Sequence, residues 1–397
     1  MKNYIYILLS FVLGCTSNNN TSNNNTSNNN SVWIPGSNLG KPLKEYSATN
    51  SNLVSATVSK MLEYNNELYV GGDFQVIGGQ IIPFLAKWNG VSWSSIGLLN
   101  APVEDMIVFQ NKLYIQIQEN NNSQFSDCNK IYSWNGSILT QEVMNYDGVF
   151  LPLFSKSALN YGEKQEQWVV HDNKLFVYTK IPASFSPSFG TGFALFWYDG
   201  TFWYTDWDFN YHHGILTSFQ GKLYATINAH GSPTGGQING FFRFNGDFDI
   251  PQQSQGWENL AGLSLSEPKI HTVANFDNKL IVGGNFETIG GILSQHIASF
   301  NGVSWSTFGN WPYEPYELKV FNNKLYASFY NGNYNGIDLE RIAIYNSGSW
   351  TSLLYNLSEF DIPSDGIHNT IEYYNGYLYF GGDNTVFSTN NFIKLSQ

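Results

Sequence analysis

Short apolar runs alternate with Asn- and Gly-rich breaks along most of the chain. Met106-Ile-Val-Phe109 is one such run, a turn follows it, and the next run opens at Leu113. This rhythm predicts many short strands joined by tight turns, and not helices. The pattern also repeats. Residues 68–79 (LYVGGDFQVIGG) are matched by 280–291 (LIVGGNFETIGG), and 86–97 (AKWNGVSWSSIG) by 298–309 (ASFNGVSWSTFG). Weaker copies open at Asn111, Asn173, Gly221, Asn323 and Gly376. Leucines 68, 113, 175, 223, 280, 325 and 378 thus mark seven units, 45 to 62 residues apart. A period near 45 to 50 residues with four strands per unit is the signature of a β-propeller.

Within a unit, strand a alternates and ends in a two-residue turn of Asn-Asn, Asn-Lys or Gly-Lys chemistry, which favours a type I′ hairpin. Strand b carries paired glycines, expected where backbones approach closely near a crowded axis. Strand c ends in Trp88, Trp134, Tyr198, Phe244, Phe300 or Tyr345, and strand d opens around Trp93, Trp203, Trp305 or Trp350. The last unit stops after Phe392-Ile-Lys-Leu395 and lacks a strand d, whereas residues 31–40 (SVWIPGSNLG) look like an isolated one. The expected fold is therefore all-β: a seven-bladed β-propeller of four-stranded antiparallel blades, the last blade closed by the amino-terminal strand.

These repeats resemble the Kelch and galactose-oxidase class of propellers. They are closer still to the Gly-Gly-x-Phe…Asn-Gly-x-x-Trp repeats of exported bacterial lipoproteins, especially those of Bacteroidetes-type bacteria. The spacing of Tyr and Trp after the glycine pair departs from Kelch, so the likeness is one of architecture. It implies a fold and a location and no single activity.

The amino terminus supports that location. Lys2 precedes an apolar stretch from Tyr4 to Leu13 that is too short to span a bilayer. The following Val12-Leu13-Gly14-Cys15 resembles a lipobox, which makes Cys15 the expected lipid attachment site. Residues 16–30 repeat Thr-Ser-Asn-Asn-Asn three times and offer nothing to bury. The expected organisation is a signal peptide at 1–14, a lipidated cysteine with a polar tether at 15–30, and the propeller at 31–397. An exported, membrane-anchored lipoprotein, of the outer membrane, follows from this reading.

Composition narrows the partners. A net charge of −12 without clustered cations argues against a nucleic-acid or an anionic-membrane surface. Of two cysteines only Cys128 remains beside the lipidated one, so no intrachain disulfide is expected. Length variation concentrates in the b–c connections 118–130, 180–193, 228–240 and 330–340 and the d–a connection 206–213, all on one face, where recognition is usually built. In the last of these, Trp207, Tyr211 and His212 offer flat surfaces to a sugar ring, with Asp206, Asp208 and Asn210 as hydrogen-bond partners. Core and outer-strand packing is the plainer role for such aromatics. Adjacent His212 and His213 point opposite ways on an extended segment, so no metal ligand set is expected, and no cofactor or catalytic residue either.

A non-catalytic binding or scaffold protein, monomeric, with an unknown protein or glycan ligand, is the leading expectation. The competing one is a glycan-active hydrolase or lyase with carboxylates near the axis, for which Asp73, Asp105, Glu317 and Asp383 come from separate units. A structural component of an envelope machine, bound through its outer strands, is a third.

Overall fold

The computed structural model describes residues 33–34, 56–120, 127–146, 149–152, 168–181, 192–206, 213–228, 239–245, 257–264, 269–309, 313–329, 333–334, 337–338, 342–352, 367–383 and 392–396. All fall in the compact unit Val32–Gln397, which is separate from Met1–Ser31. The chain is a β-propeller of antiparallel sheets. Its leading strands are Thr57–Tyr64, Val103–Phe109, Trp168–His171, His213–Phe219, Lys269–Phe276, Pro315–Phe321 and Ile367–Tyr374. Each packs on the leading strand of the next sheet, and the last packs on the first.

Register is locked by one recurring row of residues. Leu68 pairs with Trp88 and Trp88 with Trp93; Leu280, Phe300 and Trp305 repeat this, as do Leu325, Tyr345 and Trp350. The seven leucines that mark the units are at most 1% exposed, so each is a core residue held between neighbouring sheets. Trp257 takes the strand-opening place in the sheet of His213–Phe219, opposite Phe244, a position the repeat pattern does not flag. At the chain ends Trp33 pairs with Leu395, and Leu395 with Leu378, which places Trp33–Ile34 in the register that Trp93 holds elsewhere.

The turns after the leading strands have the expected primed geometry. Both central residues lie at positive φ in Asn65-Asn66, Gln110-Asn111, Asp172-Asn173, Gln220-Gly221, Asp277-Asn278, Asn322-Asn323 and Asn375-Gly376. The central pair sits one residue earlier than an Asn-Lys or Gly-Lys reading implies, because the lysine is already the first residue of the next strand.

Two expectations need revision. The described strands resolve into six sheets of four or more strands where seven blades are expected. The largest joins two four-stranded sets, Trp33–Ile34 to Ile367–Tyr374 and Thr57–Tyr64 to Trp93–Ser95, and the single pair Thr57 with Asp383 makes that junction. The long connections are also shorter than their composition suggests. Ladders run on to Asn120 with Asp127, Ile181 with Gly192 and Asn228 with Asn239, and a small hairpin, Asn333–Tyr334 with Ile337–Asp338, occupies the fourth.

The glycine pairs earn their place sterically. A Cβ on Gly72 would lie 2.0 Å from the Thr57 carbonyl oxygen, and one on Gly284 2.1 Å from that of Lys269. A Cβ on Gly71, Gly283 or Gly381 would meet Val103, Pro315 or Val58, the residue near the start of the next leading strand, at 2.3 to 2.5 Å. Backbone cannot yield as a flexible side chain can. Gly284→Ala should therefore lose about 3 kcal/mol or more of stability in urea titrations, whereas Gly262→Ala, with open space around it, should stay within about 1 kcal/mol. Equal losses would show that close approach is not what fixes the glycine pair.

A candidate ligand site at the propeller axis

The tight turns between first and second strands, and the short ones between third and fourth strands at Asn89, Asn135, Asp199, Asn301 and Asn346, lie on one face, here the turn face; the leading strands begin at the opposite, loop face. Near those beginnings the register slips by a residue, between Val58 and Lys60, Val103 and Asp105, Ile270 and Thr272, Pro315 and Glu317, and His368 and Thr370. Such bulges leave one residue unpaired and re-aim its neighbours.

A leading strand has a sheet partner on one edge only, so N–H groups on its other edge need acceptors. Residues beside the bulges supply them. Thr370 Oγ1 accepts from Met61 N at 3.2 Å, Thr272 Oγ1 from Leu318 N at 2.8 Å, and Asp105 Oδ1 from Met106 N at 2.7 Å. The first two of these bonds cross from one leading strand to the next.

The same register therefore gathers Lys60, Asp105, Thr272, Glu317 and Thr370 around the axis. Lys60 Nζ lies 3.0 Å from Asp105 Oδ1, both side chains being nearly buried. Glu317 is 2% exposed, and Lys319 Nζ stands 3.7 Å from its Oε1. One alternation deeper, Glu372 Oε1 accepts from Tyr373 N at 3.2 Å. Nearer the loop face, His271 and Tyr316, the extra residues of their bulges, stack with ring centres 6.4 Å apart at 15°, and His271 Nε2 faces the Glu314 carboxylate.

The electrostatics set Glu372 apart. It keeps a little exposed surface, yet the protein packed round its carboxyl raises its pKa from 4.5 to about 7, reinforced by the negative charge of Glu317. Lys319, the Tyr373 N–H and Lys60 pull the other way and do not offset that burial. The axis thus presents two lysines, two carboxylates in ionic contact with them, a third carboxyl that holds its proton near neutrality, and two threonine hydroxyls. Such a set can grip a hydroxyl-rich or charged small molecule, or move a proton.

Of the residues singled out in the sequence, Asp105 and Glu317 come to this cluster. Asp73 and Asp383 end the second strands, each paired in register with Thr57. In the 206–213 segment, Asp206 closes strand Trp203–Asp206 opposite Leu195, and His213 already begins a leading strand. Trp207, Asp208, Asn210, Tyr211 and His212 lie outside the described residues, as does Cys15. Sequence reasoning missed Lys60, His271, Glu314, Tyr316, Lys319 and Glu372. The available signal is positional: each of Lys60, Asp105, Thr272, Glu317 and Thr370 directly precedes a buried apolar residue of its leading strand. Among the described residues no group of three or more His, Cys, Asp or Glu is arranged to hold a metal.

No family model matches the chain, and no characterised protein matches it in sequence. Solved structures similar to it include YCF48 bound to D1 peptide (11% identity, 94% of this chain and 96% of that one, TM-score 0.47). YjhT follows (13%, 75% and 97%, 0.45), with the α-l-arabinofuranosidase arb93a from Fusarium graminearum (10%, 79% and 98%, 0.45). At these identities and scores the comparisons say nothing about ligand or activity.

A carboxyl whose folded pKa is raised stabilises the fold fully below its unfolded value and loses that contribution as pH climbs. For Glu372 the window runs from 4.5 to about 7. Glu372→Gln should therefore gain on the parent by about 3 kcal/mol between pH 4 and pH 8, at ~1.36 kcal/mol per pKa unit. Paired urea titrations at the two pH values check this; a constant difference between the proteins would mean that Glu372 titrates normally.

Proposed function

We propose that this chain is an exported, lipid-anchored propeller of a bacterial envelope that binds a hydroxyl-rich glycan, without catalysis, at the loop-face end of its axis. The observation that carries the reading is the cluster of Lys60, Asp105, Glu317, Lys319 and Glu372, together with the stacked His271 and Tyr316 nearer the loop face. Clustered carboxylates and ammonium groups suit vicinal hydroxyls, and a flat ring pair suits the face of a sugar. The seven-bladed, Kelch-like arrangement closed by residues 31–40 is part of this proposal. It is supported by the shared register of Trp33 and Trp93 and by the packing of Ile367–Tyr374 on Thr57–Tyr64. The anchor at Cys15, the signal peptide, the outer-membrane location and the monomeric state are proposed from the sequence pattern alone.

A second reading has its own observation. A carboxyl with a pKa near neutrality in one cluster with a second carboxyl is the pairing that acid-assisted glycosidic cleavage employs, so Glu372 as acid and Glu317 as base would make the chain a glycan hydrolase.

One assay separates them. The full chain is screened against a polysaccharide array, and any ligand found is incubated with it and examined for shortened products. Binding without cleavage, weakened about tenfold or more by Glu317→Gln or Lys60→Ala, is the expected result. Cleavage abolished by Glu372→Gln would establish the hydrolase instead. No binding at all would overturn the glycan proposal and direct attention to a protein partner on the loop face.

A further inference from the structure

The face opposite the axial mouth is built from two rings of turns. In the outer ring Asn89, Asn135, Asp199 and Asn301 each accept two backbone N–H groups through Oδ1, at 2.7 to 2.9 Å. These stiffened turns hold Val91, Ile138, Phe202 and Val303 out to solvent, 83%, 63%, 64% and 90% exposed. Inner and outer turns of neighbouring sheets interlock. A Cβ on Gly200 would lie 2.2 Å from the Gln110 side chain, and one on Gly302 2.4 Å from that of Gln220. The apolar side chains are therefore fixed studs on a rigid surface.

Five of the chain's nineteen Lys and Arg residues also stand on this face. Lys112, Lys174, Lys222, Lys279 and Lys324 each begin a second strand directly after an inner turn. Among the described residues, Glu63, Glu67, Asp172, Asp199 and Asp277 stand with them, so the described part of the turn face is close to charge balance in a chain of net charge −12. A surface of anionic headgroups repels a charge-balanced face less than a net acidic one.

The path of the chain points the same way. Trp33 pairs with Leu395, and Leu395 with Leu378, the second residue of the strand that follows the inner turn Asn375-Gly376, so strand Trp33–Ile34 begins at the turn face. Everything amino-terminal to it, Cys15 included, is joined to the propeller there. The fifteen residues from 16 to 30 reach at most about 50 Å when extended.

We infer that the turn face rests on the surface of the bilayer holding the chain's own lipid, the apolar studs entering the headgroup layer and the axial mouth facing away. This inference rests on the anchor at Cys15 proposed above. The exposed apolar side chains of the loop face, Ile81, Leu98 and Leu293, serve as internal controls.

The test uses the full lipidated chain in vesicles of phosphatidylethanolamine and phosphatidylglycerol, in a Cys128→Ser background, with a fluorophore on Val91→Cys, Val303→Cys, Ile81→Cys or Leu293→Cys. A nitroxide on the lipid headgroup should quench the probes at 91 and 303 several-fold more than those at 81 and 293. The triple change Val91→Ser, Phe202→Ser, Val303→Ser, with a probe at Ile138→Cys, should level the difference while leaving the circular dichroism unchanged. Equal quenching at all positions, or stronger quenching at 81 and 293, would overturn the docking. Acyl labelling reads the anchor separately: label lost in Cys15→Ala supports it, and an unlabelled parent removes the anchor and the docking built on it.

Discussion

Every sheet of a propeller must end somewhere, and its innermost strand ends on an axis too narrow for another strand. The hydrogen-bonding groups on that bare edge are the constraint from which much of this molecule follows. Sheet pairing cannot satisfy them, and water is scarce between packed leading strands, so side chains must. Thr370 and Thr272 do so for the neighbouring leading strand, and Asp105 does so for the residue beside it. The bulges are the geometric counterpart, turning these acceptors toward the gap while the rest of the strand keeps its register.

The candidate site is a by-product of that solution. Once a position is reserved for polar side chains near an enclosed axis, replacing a hydroxyl by a charge costs less there than anywhere else in the core, and neighbouring charges can offset one another. Among the described residues, Glu317, Lys319, Glu372, Lys60 and Asp105 come from four consecutive leading strands, and Ile215 and Thr272 stand on two others.

What the sequence reveals depends on how local the determining physics is. Leu68 and its counterparts, the Asn-Gly turns and the Trp93-type strand openings are set by neighbours within a hairpin, and they were legible. Trp257 was not, because eleven residues separate it from Asn245 and the short turn that identifies Trp93 or Trp305 is missing. The paired glycines were read rightly as points of close approach. The axial cluster was legible only at Asp105 and Glu317. Its other members sit in no motif, and they meet only because each sheet contributes one or two residues to a ring whose spacing in sequence is the length of a whole repeat. Glu372 was invisible for a further reason: what distinguishes it is enclosure, which composition does not encode.

The first and last leading strands meet through several contacts at once. Met61 N donates to Thr370 Oγ1 and the Tyr374 hydroxyl to the Asn66 carbonyl, across 309 and 308 residues of sequence, and Gly381 leaves the space that Val58 fills. None of these can form until nearly the whole polypeptide is present, and contacts so distant in sequence are slow to find. A growing chain must therefore wait with its first sheet uncovered on one side. A copy truncated before residue 367 can never cover it. The same bonds that hold the two ends together thus act as a check on completeness, marking every unfinished molecule by an exposed apolar edge open to proteases.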